Sequence, residues 1–189
     1  MTTRETLAVG AAVSSARRPR LHHRLALAIT STFGLAALAW ASFWQPAVHI
    51  VYNPSDSVAV GWYRILPPQA FAVGSIVLVR PPAHAAALAA RRGYLPLGVP
   101  LLKRVGAIAP QHICIEGDVV RIDGTPVAAV MRADWSGRPL SAWPLCRQLA
   151  DGELFLLSAT NPASFDSRYF GPIPAVAVLG SAQPLYIME

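Results

Sequence analysis

The stretch from Leu25 to Trp44, LALAITSTFGLAALAWASFW, contains 20 residues and no charged side chain. At ~1.5 Å per residue, a helix of this length spans ~30 Å, which is the thickness of a bilayer's hydrocarbon core. The whole chain of 189 residues is 53% apolar and only 14% charged, which departs from the soluble average in the direction of a membrane protein. We therefore predict one transmembrane anchor helix over residues 25–44.

The charges beside this stretch are asymmetric. The segment before it carries five of the chain's arginines: Arg4, Arg17, Arg18, Arg20 and Arg24. No basic residue follows closely on the other side, where Trp40, Phe43 and Trp44 suit an interfacial aromatic belt. This pattern predicts a cytoplasmic basic segment over residues 1–24 and an exported domain over residues 45–189.

Two other interpretations of the apolar stretch stay open. Ala39-Trp40-Ala41 resembles a small-residue cleavage site, so the stretch could be a cleavable signal peptide, although it is longer than the usual apolar core of ~7–15 residues. It could also be a helix buried in a soluble core, although no helical partners follow it. The net charge of +6 could indicate nucleic-acid binding, but the arginines form no aromatic-interleaved stripe.

The exported part favours strands over helices. It holds 16 of the 17 prolines, all after residue 45, and proline at this density opposes long helices. Short apolar runs bounded by turn residues predict strands at Ser75–Arg80, Leu101–Ile108, Val119–Ile122, Leu154–Leu157 and Val176–Gly180. Asp123-Gly124 predicts a hairpin turn, and the alanine-rich run Ala83–Arg92, followed by Gly93, predicts one helix. The expected fold is mostly β, with one N-terminal transmembrane helix followed by an antiparallel, barrel-like β-domain.

Both cysteines of the chain, Cys114 and Cys146, fall in the predicted exported part, where disulfides persist. We expect them to be bonded to each other, which would contribute roughly 3–4 kcal/mol by closing a loop of about 33 residues. Two buried free thiols are the alternative. No metal site is expected, because neither a CxxC motif nor a ligand-spaced histidine pair accompanies them.

The chain has one lysine, Lys103, beside 15 arginines, and it lies within the apolar strand Leu101–Ile108. Arginine does not release its proton in a protein, whereas a desolvated lysine can. A neutral lysine near pH 7 requires a pKa about 3 units below its usual value, which burial among apolar side chains can supply. Lys103 is thus a candidate general base, with a strand lysine that reaches to solvent as the alternative.

A lysine base needs a nucleophile, and Ser55 and Ser57 lie just beyond the anchor in Asn53-Pro54-Ser55-Asp56-Ser57. In an extended segment, this spacing would place both hydroxyls on one face. One hydroxyl could attack while the other donates a hydrogen bond to the oxyanion. An ordinary turn is the alternative for such a composition.

Two rival chemistries receive less support. A Ser-His-Asp arrangement would need a histidine in a motif, but His22 and His23 precede the anchor, His49 lies at its edge, and His84 and His112 have no surrounding motif. Zinc-dependent hydrolysis would need an HExxH motif, which the sequence lacks.

A late segment, Ser164-Phe165-Asp166-Ser167-Arg168-Tyr169-Phe170-Gly171, gathers further polar groups. In an extended chain Asp166 and Arg168 would share a face and could form an ion pair, with Ser164 on the same side. A loop held by an ion pair is the alternative interpretation.

Together these segments resemble the bacterial type I signal peptidase superfamily, and more closely its conjugative-transfer branch, which matures pilin-like precursors. The resemblance rests on the Ser-x-Ser segment after the anchor, the Lys-Arg strand and the late Ser-x-Asp-Ser-Arg-Tyr-x-Gly box. Further matches are Gly61-Trp62-Tyr63-Arg64, Gly74-Ser75-Ile76-Val77, and the two cysteines with Gly137-Arg138-Pro139-Leu140 between them.

The resemblance implies a serine endopeptidase on the outer face of a bacterial inner membrane. Ser57 would be its nucleophile, Lys103 its base and Ser55 an oxyanion donor, with Ser164 and Asp166 orienting the lysine and Arg168 supporting that segment. It implies no cofactor and no nucleic-acid partner, and its substrates would be precursors with an apolar membrane segment, such as pilin-like subunits. A housekeeping signal peptidase and an inactive membrane-tethered assembly protein remain alternatives.

Overall fold

The computed structural model describes residues 19–43, 50–158 and 160–188, and the chain divides into two compact units between Ala47 and Val48. The first unit contains helix α1, Pro19–Phe43. Within α1, the segment His22–Ser42 is long and apolar enough to cross a membrane. The helix therefore begins at Pro19, earlier than the predicted span, while Trp44, His49 and most of the basic segment 1–24 lie outside the described residues.

The second unit is built mainly from strands. Their bounds are β1 Ile50–Asn53, β2 Gly61–Leu66, β3 Ile76–Val79, β4 Leu101–Ile108, β5 His112–Glu116, β6 Val119–Ile122, β7 Thr125–Ala129, β8 Arg147–Gln148, β9 Glu153–Leu156, β10 Ile173–Pro174 and β11 Val178–Ile187. Two helices accompany them, α2 Ala83–Arg92 and the single turn α3 Ser167–Phe170. The predicted fold class, mostly β with an N-terminal apolar helix, is confirmed.

All strand pairs are antiparallel, and they form two sheets. The larger sheet has seven strands in the order β1-β2-β11-β3-β4-β9-β10, and the smaller has four in the order β7-β6-β5-β8. The pairing shifts register within β4, between Val105 and Ala107, and within β11, between Val178 and Gly180 and again between Pro184 and Tyr186. Such bulges bend a strand, which lets these sheets curl.

Local chemistry explains the elements that the sequence predicts best. The β6–β7 hairpin turns at Asp123 and Gly124, both with positive φ (50° and 79°), as a two-residue turn of the primed type requires. Helix α2 has the predicted bounds and ends at Gly93, whose left-handed conformation lets its N–H reach back to carbonyls of the last turn. The last strand was predicted too short, because β11 continues past Gly180 and passes Pro184 at its second bulge.

Strand β4 contributes to all three apolar clusters of the second unit. Leu102 packs in one with Tyr63 and Leu78, Val105 in another with Val77 and Leu156, and Ala107 in a third. The third cluster also contains Ile113, Val120, Phe155 and Leu157. Because side chains from this strand are packed against three groups of neighbours, the backbone on either side of Lys103 is firmly placed.

Cys114 and Cys146 form a disulfide in the structure, as expected. Cys114 lies in β5, and Cys146 immediately precedes β8. These two strands are paired in the four-stranded sheet. The bond therefore fixes the end of the long excursion between β7 and β8, residues 130–146.

Candidate active site

Lys103 lies in β4 opposite Val77 of β3, and its side chain is buried, with 3% of the residue exposed. Burial lowers the pKa of its ammonium group from 10.5 to about 8. Two charged groups act on the same pKa in opposite directions, since the Asp166 carboxylate raises it and the Arg168 guanidinium lowers it. A buried lysine of this kind is neutral in a substantial fraction of molecules at mildly alkaline pH.

Three polar atoms from distant parts of the sequence meet at this lysine. Lys103 Nζ donates a hydrogen bond to Ser57 Oγ at 2.5 Å and another to Ser164 Oγ at 2.6 Å. The two serine oxygens are themselves 3.1 Å apart, and both residues are buried. A hydroxyl and an amine at this separation are within reach for direct proton transfer.

The segment that carries Ser57 is a turn. Ser57 is buried while Ser55 is exposed, and the Ser55 hydroxyl donates to Asn53 Oδ1 at 3.0 Å. The expectation that both serines share one face of an extended segment is therefore wrong, because the chain turns at Asp56 and Ser57. The oxyanion role assigned to Ser55 stays a prediction, and it would require this hydroxyl to leave Asn53.

Two residues whose roles the sequence did not reveal hold this turn in place. The buried Asn53 donates from Nδ2 to the carbonyls of Ser55, Val58 and Ala59, at 2.7, 3.1 and 3.1 Å. Tyr63, from the Gly61–Arg64 motif, is fully buried and donates its hydroxyl to the same Ala59 carbonyl at 2.6 Å. An asparagine that ends a strand just before a Pro-Ser-Asp turn was the available signal, since such residues commonly bond nearby backbone.

Asp166 and Arg168 form the predicted ion pair, and both residues are completely buried. Arg168 donates from Nε and Nη2 to the two oxygens of Asp166, each at 2.8 Å. Its remaining hydrogen bonds go to four backbone carbonyls, those of Ala129, Asn161, Pro162 and Ser164. One guanidinium therefore orients the backbone of Ser164, whose hydroxyl contacts Lys103.

The late segment is also joined to strand β9 and its continuation. Asp166 Oδ2 accepts from the Ser158 N–H at 3.0 Å, and Ser167 Oγ accepts from the Leu156 N–H at 2.9 Å. Within the described part of the chain, no buried side-chain nitrogen or oxygen is left without a hydrogen-bond partner. This completeness is what makes a buried polar network rigid.

A cleft of about 470 Å³ opens beside Ser57. Its lining comes from the serine turn and the residues up to β2, from the middle of β4, from the segment after β9 and from the residue after β11: Asp56, Ser57, Val58, Ala59, Val60, Arg104, Ser158, Thr160 and Met188. Arg104 faces away from Lys103 in the strand and donates to the Gly74 carbonyl at 2.7 Å. An extended peptide in this cleft would pass next to the Ser57 hydroxyl.

A family model matches most of this chain. Residues 22–187 match the family model described as signal peptidase, peptidase S26. The chain belongs to the signal peptidase S26 family. The match includes helix α1 from His22 onward and nearly all of the second unit, and with it every residue of the site.

Proteins from other bacteria are similar in sequence to this signal peptidase family chain. It is 36% identical over 163 residues to the probable conjugal transfer protein TraF of Sinorhizobium fredii (strain NBRC 101917 / NGR234), covering 81% of this chain and 85% of the relative. It is 34% identical over 152 residues to the plasmid transfer protein TraF of Escherichia coli, covering 74% and 83%. A crystal structure of a signal peptidase I from Enterococcus faecalis V583 aligns with a TM-score of 0.38 at 18% identity, covering 60% of this chain and 97% of that one.

One group of potential metal ligands lies outside the site. Cys114, Glu116 and Cys146 place three ligand atoms within 4.8 Å of one another, but the two sulfurs are bonded to each other and do not offer thiolates. His84 and His112, considered for a Ser-His-Asp arrangement, are both exposed. Among the described residues of this signal peptidase family member, the hydrogen-bond partners of Ser57 Oγ are Lys103 and Ser164.

Proposed function

We propose that this protein is a membrane-anchored serine endopeptidase with Ser57 as nucleophile and Lys103 as general base. The observation that carries the proposal is the 2.5 Å approach of Lys103 Nζ to Ser57 Oγ inside a buried network. Membership of the signal peptidase S26 family supports it independently. Its proposed role is to process exported precursors, in particular pilin-like subunits of a conjugal transfer system.

The reaction begins with the neutral form of Lys103. Its amine accepts the Ser57 proton as Ser57 Oγ attacks the scissile carbonyl, and it keeps its orientation by donating to Ser164 Oγ. The tetrahedral intermediate expels the amine of the leaving peptide, which takes a proton from the Lys103 ammonium. Water then attacks the acyl-enzyme and gives a proton to Lys103. The second tetrahedral intermediate collapses as its bond to Ser57 Oγ breaks, Lys103 returns the proton to Ser57 Oγ, and the product acid leaves.

The developing oxyanion needs hydrogen-bond donors next to Ser57. Backbone N–H groups of the turn are the nearest source, and a single such donor is typically worth about 3–4 kcal/mol of transition-state stabilisation. The Ser55 hydroxyl would add a second donor after rotating away from Asn53 Oδ1, its partner in the structure. The rest of the turn stays in place, because the bonds from Asn53 Nδ2 and from Tyr63 hold it.

The proposed location is a bacterial inner membrane, with residues 1–24 in the cytoplasm and residues 45–189 outside. The apolar segment His22–Ser42 and the arginines that precede it support this orientation. Reporter fusions distinguish the two orientations. A periplasm-dependent reporter such as alkaline phosphatase should be active when fused after residue 189 and inactive when fused near residue 10.

The proposed substrates are precursors that hold an apolar segment in the same bilayer and present an extended cleavage site. The names of similar proteins, which describe conjugal and plasmid transfer proteins, support a role in such a system, and we propose pilin-like subunits as its precursors. The substrate would lie along the cleft beside Ser57 and pair with exposed backbone, the usual mode for extended peptides. The reaction needs no cofactor and no nucleic acid.

The test is processing of a pilin-like precursor co-expressed with each variant, followed by mass analysis of the product. Ser57→Ala and Lys103→Arg should both abolish cleavage. The first removes the nucleophile, and the second keeps the positive charge but replaces the base with a group that does not release its proton. Matched controls are Ser136→Ala and Arg91→Lys, which change exposed residues of the same chemistry. Full processing by Lys103→Arg would refute the general-base assignment, and full processing by Ser57→Ala would refute the nucleophile.

A further inference from the structure

Trp143 lies in the excursion between β7 and β8 and is half-buried against the late segment. A Cβ placed on Gly171 would come within 2.7 Å of Trp143 Nε1 and 2.8 Å of Cδ1, so the indole covers that glycine directly. Arg147 lies over the ring at 5.6 Å, and the Phe155 ring is 6.1 Å away. The side chain is therefore packed between the end of α3, strand β9 and the start of β8.

The backbone of Trp143 is bonded to the residue that holds the site together. Its N–H donates to the Arg168 carbonyl at 2.7 Å. The Arg168 guanidinium donates in turn to the Ser164 carbonyl at 3.0 Å, and Ser164 Oγ accepts from Lys103 Nζ. Three consecutive hydrogen-bonded steps thus lead from Trp143 to Lys103.

The excursion is fixed on both sides of Trp143. At its beginning, the Met131 N–H donates to the Tyr169 hydroxyl at 3.1 Å. The carbonyl of Ala129, the last residue of β7, accepts from Arg168 Nη1 at 2.7 Å. The end of the excursion is held by the disulfide at Cys146, three residues after Trp143. A covalent bond close to the tryptophan restricts how far its backbone can withdraw from Arg168.

We propose that Trp143, secured by the neighbouring Cys114–Cys146 disulfide, is a positioning residue that keeps Ser164 against Lys103 by holding Arg168 in place. Trp143 touches neither the substrate cleft nor the reacting atoms in the structure, so it acts through Arg168. The importance of Trp143 for catalysis rests on the proposed function. Its effect on Lys103 can be measured by titration, without any cleavage reaction.

Loosening this connection should let water reach Lys103. Burial has the largest effect on the pKa of Lys103 and lowers it. The charged groups that also act on this pKa are Asp166, which raises it, and Arg168, which lowers it. Partial hydration of the ammonium would raise its pKa from about 8 towards 10.5. A rise of about one unit reduces the neutral fraction about tenfold at pH 7, and kcat should fall in proportion.

The experiment uses the full chain in detergent, labelled with lysine that carries ¹³C at Cε. Since Lys103 is the one lysine of the sequence, a single resonance reports its titration. Trp143→Ala should raise the pKa by about one unit and lower kcat about tenfold with KM within about twofold, while Trp143→Phe, which keeps a ring over Gly171, should restore both. The matched control is Trp135→Ala, which removes an indole that is 81% exposed in the same excursion.

The outcomes separate the role of Trp143 from the proposed function of the protein. If Trp143→Ala folds and leaves the Lys103 titration and kcat unchanged, Trp143 is merely structural and the inference is wrong. If that variant does not fold, reduction of the disulfide in the unmodified protein replaces it, and an unchanged titration after reduction refutes the inference equally. If no Ser57-dependent cleavage occurs at all, the proposed function fails, whereas the titrations still decide whether Trp143 controls Lys103.

Discussion

Lys103 Nζ lies 2.5 Å from Ser57 Oγ, although the two residues are 46 positions apart in the sequence. The contact is made inside the protein, where 3% of Lys103 and 8% of Ser57 remain exposed. A pKa of about 8 for this lysine leaves about a tenth of it neutral at pH 7 and half of it neutral at pH 8. The pH dependence of the proposed reaction should therefore follow the titration of Lys103.

The first prediction concerns the rate as a function of pH. In the proposed mechanism only neutral Lys103 accepts the Ser57 proton. The value of kcat/KM for a precursor peptide should therefore rise about tenfold per pH unit below pH 7 and level off above an apparent pKa near 8. The measurement is a pH–rate profile from pH 5.5 to 10 in detergent. A profile that is flat over this range, or that falls as pH rises through 8, is incompatible with a lysine base.

The second prediction concerns stability. Because the folded pKa of Lys103 (about 8) is below the unfolded value (10.5), the unfolded state binds the proton more tightly, and burial of the charge costs stability at neutral pH. That cost is fully present below pH 8 and is lost as pH rises to 10.5. Lys103→Met should therefore raise the free energy of unfolding at pH 7 by up to roughly 3 kcal/mol, with the gain disappearing near pH 10.5.

Unfolding by denaturant at pH 7 and pH 10, with Arg91→Met as the control, checks this expectation. Arg91 is exposed, so its replacement should change stability little at either pH. A Lys103→Met protein that is less stable than the parent by the same amount at both pH values would contradict the account.

The third prediction concerns Asn53, which we regard as a positioning residue for the nucleophile turn. Asn53→Ala removes three hydrogen bonds from Nδ2 to turn carbonyls, and bonds of this kind contribute about 1 kcal/mol each. We expect kcat to fall about 10- to 100-fold with a smaller change in KM, because Ser57 loses its fixed direction.

Asn53→Asp separates this role from simple packing. It keeps the size of the side chain but places carboxylate oxygens against carbonyl oxygens, so it should be as damaging as Asn53→Ala. If Asn53→Asp keeps full kcat, the donated hydrogen bonds do not position Ser57.

The fourth prediction concerns the buried ion pair. Asp166→Asn leaves the Arg168 guanidinium buried without its counter-charge, which typically costs about 3–5 kcal/mol. Asp118→Asn is the control, since Asp118 pairs with Arg132 at the surface and its loss should cost less than about 1 kcal/mol. The measurement is the thermal unfolding of both variants. An equal loss of stability in the two would show that burial of the Asp166–Arg168 pair is unimportant.

Sequence reasoning singles out the lysine, the serines and the ion pair of the site, because each carries a chemical peculiarity of its own. It does not reveal Asn53 and Tyr63, and the catalytic roles of the residues that it selects stay predictions. A single lysine in an apolar strand, a Ser-x-Ser segment after an apolar stretch and an acid–arginine pair all stand out, and the structure brings Ser57, Lys103 and Ser164 into one hydrogen-bonded group. Local signals also sufficed for α2 and for the Asp123-Gly124 turn.

Other features depend on long-range packing that the sequence does not display. The exposure of Ser55 follows from a turn whose shape is imposed by Asn53 and by Tyr63, a residue in the next strand. The place of β11 between β2 and β3, and its length beyond Gly180, depend on pairing between segments about 100 or more residues apart in the sequence. Likewise, the approach of the Trp143 indole to Gly171 depends on packing between two segments that are distant in the sequence.

The central claim is that the Lys103 amine loses its charge near neutral pH, and its direct test is a titration of this lysine in the full chain. Protein labelled with ¹³C at lysine Cε gives one signal, and its shift followed from pH 5 to 12 yields the pKa without any substrate. The account predicts a midpoint near pH 8 in the folded protein and near 10.5 after denaturation. A midpoint near 10.5 in the folded protein would contradict it, because Lys103 would then remain charged and could not accept the Ser57 proton.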